Sequence, residues 1–378
     1  MSRRYLAGFV QDGLFNPLVA PTPSGYLYNL FSWGTNTNGE LGLNDRTYRS
    51  SPTQVSALTT WLGVAGGYVY SLAIVTDGSL WSWGYNGNGE LGLGNITSYS
   101  SPKQVSSIVS WAKIASSFFS SYGIKVDGTL WAWGRNYQGA LGLLDIVDRS
   151  NPTQIGVATT WAFVFAGQND AFGIKTNGTL WAWGSGSSGK LGLGNTTNYS
   201  SPTQVGLLTN WASGGTTGDA TICIKTDGTL WAWGAGYNGA LGLGNTTYYS
   251  SPKQVGLMGN WKQVNPATHN GSTVSVVKTD GTLWTWGNNN HGQLGLGNIT
   301  KYSSPKQVGV LTNWSKVAGG VDFILSTKTD GSLWSWGYNG TGQLGLGNIT
   351  SYSSPKQVGA IRPWGSISAG SQFTIALG

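Results

Sequence analysis

Side chains able to do covalent or metal chemistry are few and scattered. His269 and His291 are the two histidines among 378 residues, and Cys223 is the one cysteine. A His-based triad needs a nucleophile and an orienting carboxylate, and a zinc site needs three or four His, Cys or carboxylate ligands. His269 lies in the stretch Asn265 to Val274 and His291 in a variable turn, with no carboxylate recurring beside either in sequence. Asp145 and Asp148 come nearest to a cation site, but Arg149 follows at once and a local ion pair accounts for them. Asn-x-Thr recurs at Asn95, Asn195, Asn245, Asn298 and Asn348 and reads as copied loop caps, since no secretory leader is recognised. The Gly-x-Gly strings follow strands but open no helix, so they are not phosphate loops. The expectation is a chain without catalytic residues, metal ligands or a cofactor.

Whatever positions a site here is a repeat. Phe31-Ser32-Trp33-Gly34 is followed by Leu-Trp-x-Trp-Gly ending at Gly84, Gly134, Gly184, Gly234, Gly287 and Gly337, a period of 50 residues broken once by 53. A fixed period of that length with Gly-rich turns marks a propeller or solenoid. In one copy Val64-Ala65 begins strand A, Ser71 to Val75 is strand B, Leu80 to Gly84 is strand C and Pro102 to Val105 is strand D. Between B and C, Asp77-Gly78 reads as a hairpin turn with positive φ at both residues. Residues 1–25 match no part of the repeat, which gives two units, an N-terminal arm of 1–25 and a repeat domain of 26–378. Tyr26 has the repeat phase of Thr76 and Gly378 ends in phase with strand B, so the C-terminal strands A and B and the N-terminal strands C and D are expected to share one blade. The fold class is therefore all-β, a closed seven-bladed propeller.

Charge is sparse. Only 9% of residues are charged, and the net charge of +7 comes from 21 basic against 14 acidic residues. Lys125, Lys175, Lys225, Lys278 and Lys328 precede the B–C turns, and Lys103, Lys253, Lys306 and Lys356 follow a proline. One lysine per blade makes a ring instead of a groove, read as solvated strand ends, so nucleic acid is not an expected partner. The apolar run Tyr5 to Val10 is too short for a Sec signal, and no 18-residue apolar span argues for membrane insertion.

All 20 tryptophans occupy three repeat positions: the two of Trp-x-Trp, where Phe31 replaces one, and the position of Trp61, Trp111, Trp161, Trp211, Trp261, Trp314 and Trp364. A residue used once in every blade reads as packing between blades, not as a sugar or base platform.

The strings Val64-Ala65-Gly66-Gly67, Ser71-Leu72-Ala73-Ile74, Thr76-Asp77-Gly78, Leu80-Trp81-Ser82-Trp83-Gly84 and Gly89-Glu90-Leu91-Gly92-Leu93-Gly94 resemble the RCC1 (regulator of chromosome condensation) repeat over residues 26–378. The family's usual His before the strand-B serine is absent, with Tyr70 in its place. The resemblance implies a seven-bladed β-propeller. The family's founder drives nucleotide exchange on a small GTPase through a protruding wedge and carries a basic tail, and neither is evident here. Short, nearly unmutated repeats, such as the 15 residues shared by Leu91 to Val105 and Leu344 to Val358, are similar to RCC1-repeat proteins of phage particles and environmental bacteria.

Up-and-down strands put the A–B and C–D connections on one face and the Asp-Gly turns on the other. Sequence varies most on the first, where Tyr68, Tyr70, Phe118, Phe119, Tyr137, Asn169, Asp170, Tyr199, Asp219, Tyr237, Tyr248, His269, Asp322 and Phe323 form the candidate binding face. Tyr among Ser, Gly and Asn suits recognition of a protein or glycan. The arm, with Tyr5, Phe9 and Phe15, is read as a segment that docks on other chains of an assembly. These readings give a non-enzymatic interaction platform, expected as a tailed-phage component in a virion that binds a partner or host-surface protein or glycan. The alternative is a cellular, cytoplasmic RCC1-like regulator of a GTPase, or a protein inhibitor of an enzyme.

Overall fold

The structure, a computed structural model, describes residues 28–378 except 108, 258, 265–270 and 361. The arm of 1–25 with Tyr5, Phe9 and Phe15, and His269, lie outside the described residues. Seven antiparallel four-stranded sheets follow one another around a ring. Blade 1 comprises strand A (Trp61–Gly66), B (Tyr70–Val75), C (Leu80–Gly84) and D (Tyr99–Gln104). Blades 2 to 6 repeat it over 111–154, 161–204, 211–254, 261–307 and 314–357. Blade 7 is composite: Ile367–Ala369 and Phe373–Leu377 supply A and B, while Leu30–Gly34 and Arg49–Gln54 supply C and D. Leu30 stands opposite Leu377 and Gly34 opposite Phe373. The seam thus closes the ring by backbone pairing between strands from the two ends of the described chain.

The strand bounds and the B–C turn differ from the sequence reading: strand A begins at Trp61 and not at Val64, and strand B at Tyr70 and not at Ser71. Strand D begins at Tyr99 and not at the proline. Its pairing runs Gly84 to Tyr99 and then Ser82 to Lys103, so the extra residues bulge and Pro102, lacking an N–H, sits where no ladder donor is needed. The B–C hairpin is a three-residue loop: the Gly78 amide donates to the Val75 carbonyl at 2.9 Å, and only Gly78 has positive φ. Asp77 instead accepts the Ser79 amide at 2.8 Å.

The core is a set of clusters, each spanning two blades. Leu72, Ile74, Leu80 and Leu91 of blade 1 pack with Trp111, Ile114 and Trp133 of blade 2. Trp133 has no exposed surface, and its Nε1 donates to the Glu90 carbonyl of the preceding blade at 2.9 Å. The same bond joins Trp83 to Glu40, Trp183 to Ala140 and Trp233 to Lys190. Gly92 makes this approach available: it holds φ +70, and a Cβ there would stand 2.8 Å from the Trp133 Nε1. The tryptophans of strand C are therefore the joints between blades. The innermost strands line a narrow channel, where Lys113 and Lys316 donate to the Ala162 and Gly365 carbonyls of the next blade. Burial there pulls the Lys113 ammonium down to about 8. Among the described residues no helix is long and apolar enough to cross a membrane.

Candidate functional site

Backbone contacts fix the two faces. The Tyr85 amide after strand C donates to the Val69 carbonyl of the A–B loop at 3.0 Å, and Ser185 does the same to Asn169 at 2.8 Å. On the opposite side the Trp111 amide donates to Gly78 of the B–C turn at 3.1 Å. The A–B and C–D loops therefore share a loop face, and the B–C turns share a turn face with the D–A connections.

The lysines on the turn face are not solvated. Lys125 lies 3.6 Å from the Trp131 ring centroid and 5.1 Å from that of Trp111. Lys175, Lys225, Lys278 and Lys328 sit likewise over Trp181, Trp231, Trp284 and Trp334. Desolvation holds all five ammonium groups below the ordinary lysine value. The sequence pattern missed this because the lysine and its two rings are apart in the chain. Their charge is spent on indole faces.

On the loop face each sector joins the C–D loop of one blade to the A–B loop of the next. Between blades 1 and 2 the sector is apolar. Tyr68 stacks on Phe118 with centroids 3.9 Å apart, Phe118 meets Phe119 edge-on at 4.8 Å, and Tyr85 lies 5.8 Å from Phe119. Arg135 covers the rim, with its guanidinium 4.9 Å from the Tyr137 ring. Tyr85 and Arg135 escaped the sequence reading because they follow strand C at a position read as connection.

Between blades 3 and 4 the sector is ionic. Glu40 and Glu90 show the ordinary use of the central loop position: each carboxylate is buried and accepts the amide two residues before it, at 2.7 Å from Asn38 and 2.8 Å from Asn88. Burial holds both carboxyls above the usual glutamate value. Lys190 occupies the equivalent place and cannot accept. Instead its Nζ lies 3.1 Å from Asp170 Oδ1 and 3.1 Å from Asp219 Oδ1, with the lysine only 1% exposed. Burial draws this ammonium towards neutrality, but the two carboxylates outweigh it and hold its pKa above the ordinary value. A lysine breaking a series of Glu, Ala and Gln in the one repeat that also carries Asp170 was a usable signal.

Between blades 5 and 6, Asp322 accepts from Gln293 Nε2 at 2.7 Å and Asn288 Nδ2 at 3.1 Å, and its Oδ2 lies 3.8 Å from His291 Nε2. Burial raises the Asp322 carboxyl. His291 also packs on Tyr338, so topology supplies the carboxylate that the local sequence lacked. Among the described residues no three His, Cys, Asp or Glu side chains gather as a metal set.

Several expected face residues are interior. Tyr70 is fully buried, and its hydroxyl donates to the Ser120 carbonyl at 2.6 Å. Asp170 and Phe323 are buried at the same first position of strand B, whose side chain turns inward across the preceding A–B glycine. Tyr199 is half-buried against the cluster shared by blades 3 and 4, and its hydroxyl accepts from Asn195 Nδ2. Tyr68, Phe118, Phe119, Asn169, Asp219 and Asp322 are partly exposed, while Tyr137, Tyr237 and Tyr248 are exposed. Elsewhere Arg149 pairs with Asp145 at 2.5 Å, the expected local ion pair. Asn95 Oδ1 accepts the Thr97 amide at 2.9 Å, the expected loop cap.

Comparison with known proteins bears on this ring as a whole. The regulator of chromosome condensation (RCC1) repeat matches residues 29–74, 77–119, 127–170, 177–216, 227–269, 280–326 and 330–377. No curated protein sequence matches the chain significantly. Among solved structures, Prp20p from Saccharomyces cerevisiae, described together with its binding properties to Gsp1p and histones, superposes with a TM-score of 0.83 at 18% identity, over 96% of each chain. Human WBSCR16 gives 0.82 at 20% identity, over 93% of this chain and 98% of its own. Yeast RCC1 (Prp20) bound to Kap60 gives 0.82 at 18%, over 100% and 96%. At such identities the structural likeness shows the shared fold. The repeat matches, running from residue 29 to residue 377 in phase with the seven blades, show that the chain belongs to the RCC1 repeat family.

Proposed function

We propose that this RCC1-repeat propeller is an interaction platform that acts by binding a protein partner on its loop face, in the manner of an RCC1-like regulator, without covalent catalysis of its own. One observation carries the reading: the two faces come from the same repeat, yet singular side chains collect on the loop face, foremost the Tyr68, Tyr85, Phe118 and Phe119 cluster rimmed by Arg135 and Tyr137. Aromatic residues with Arg at a rim are the composition of protein interfaces. The expected role in a phage particle finds no support in the comparisons, which gather RCC1 proteins. Prp20p, whose partners are Gsp1p and histones, supports a protein as the partner class.

The test is site-specific photo-crosslinking in the cells that make the protein. A photoreactive phenylalanine at Tyr137 should give a discrete protein adduct, whereas one at Val126, exposed on the turn face, should give none. The Phe118→Ser variant should weaken the Tyr137 adduct. Adducts only from Val126, or from neither position, overturn the reading.

A further inference from the structure

A second place on the loop face has the makings of a pocket. Thr217, Gly218, Asp219, Ala220, Tyr237 and Ser272 help to line a polar cavity of about 170 Å³ at the junction of blades 4 and 5. That is smaller than the roughly 300 to 1,000 Å³ of a small-molecule site, and it suits the end of one side chain. Three observations define its chemistry. Lys190, Asp170 and Asp219 bring two carboxylates to one ammonium. Asp170 and Lys190 are buried, so the surplus negative charge comes to the surface on Asp219, whose side chain is 37% exposed. Next, Tyr237 and Tyr248 meet edge to face at 4.9 Å with both rings open to solvent. Desolvation, the Tyr237 hydroxyl and the Asp219 charge together push Tyr248 up to about 12. Finally, Thr217 is 2% exposed, and its Oγ1 has no hydrogen-bond partner among the described residues although it lines the cavity. A buried hydroxyl left unpaired is costly unless something else reaches it.

From this geometry we infer that the pocket of Asp219, Tyr237 and Thr217, beside Tyr248, receives a basic side chain, lysine or arginine, presented by a protein partner. Asp219 supplies the counter-charge, the Tyr237 ring, against which Tyr248 packs edge to face, gives the cation an aromatic surface, and the Thr217 hydroxyl has free lone pairs for an N–H. An anion is disfavoured by the surplus carboxylate. The inference rests on the loop face being a protein-binding surface, and it adds the chemistry of one contact.

Capped Gly-Arg-Gly and Gly-Lys-Gly peptides, with Gly-Gln-Gly and a neutral disaccharide as controls, would be titrated into the full chain labelled with 3-fluorotyrosine. The ¹⁹F signals of Tyr237 and Tyr248, assigned with single Phe variants, are the readout. The cationic peptides should shift both signals saturably and leave Tyr68 and Tyr85 unmoved. Asp219→Asn, which retains the Lys190–Asp170 pair, should weaken the response about tenfold or more. No response to the cationic peptides overturns the inference, as does an equal response to glutamine or the sugar. The wild-type titration stands even if the variant misfolds. Because the peptides need no cellular partner, failure here with intact Tyr137 crosslinks removes only this contact. Absent crosslinks with intact peptide binding remove the wider reading.

Discussion

On the turn face, Lys125, Lys225, Lys278 and Lys328 do the same thing in four blades: each lies over two tryptophan rings, beside an aspartate that caps its own turn. On the loop face the corresponding copies disagree. The central C–D position is Glu40, Glu90, Ala140, Lys190, Ala240, Gln293 and Gln343 around the ring: the two glutamates and two glutamines each accept the amide two residues earlier, the alanines cannot, and Lys190 turns to Asp170 and Asp219. The turn face consumes its charges internally, while the loop face leaves aromatic rings and a carboxylate with surfaces to offer. Duplication alone would copy both faces equally. The difference therefore locates where individual residues matter one by one, and where only the repeat does.

The largest expected effect belongs to the uniform part. Trp133→Ala removes a fully buried ring and its bond to the Glu90 carbonyl, and should cost about 3 to 5 kcal/mol in denaturant unfolding. The folded fraction should bind the peptides of the pocket test as tightly as the parent. If the variant is as stable as the parent and has lost binding, the joint tryptophans belong with the loop face and the comparison collapses.

Lys190→Met probes the singular part with a smaller cost. It leaves Asp170 buried without its cation, a loss of about 3 kcal/mol at neutral pH, near the low end for such pairs because the carboxyl can take up a proton. The sign with pH follows from the raised Lys190 pKa. Its contribution is fully present below the unfolded lysine value and is lost as pH rises through the folded value. The gap between parent and variant should accordingly narrow in strongly alkaline solution. A gap that widens there, or no gap at neutral pH, contradicts the ionic reading of this sector.

Period and composition were enough for the blade count, the strand order and the composite seam, because each copy votes for the same local structure and Trp33, Trp83 and Trp133 can only be satisfied by a neighbouring blade. The site was less legible. Tyr68, Phe118 and Phe119 were visible as variable loop residues, but their stacking joins loops 50 residues apart. Tyr70, Asp170 and Phe323 were misplaced because one residue of shift at the start of a strand turns a loop side chain into a core one. Tyr85 and Arg135 share one repeat position, held by Thr35, Ser185, Ala235, Asn288 and Tyr338 in the other blades, a series with no common chemistry to mark it, and Lys190 finds one of its two partners, Asp219, in the next blade.

The smallest expected effect tests what a broken repeat costs on the loop face itself. The second glycine of Leu-Gly-Leu-Gly has φ between +74 and +80 at Gly94, Gly194, Gly244, Gly297 and Gly347, and blade 2 places Leu144 there at φ +69. The Leu144 amide donates to the Ser200 carbonyl at 2.7 Å, which holds the loop in that conformation whatever the side chain. A left-handed backbone costs an L residue roughly 1 to 2 kcal/mol, partly offset by the greater freedom that glycine loses on folding. Leu144 is 79% exposed and so contributes little by burial. Leu144→Gly should therefore stabilise the ring by about 0.5 to 1 kcal/mol, and Gly94→Leu should destabilise it by a similar amount. If Leu144→Gly instead destabilises, the leucine is held by contacts that outweigh its backbone strain, and that loop belongs with the packed part of the molecule.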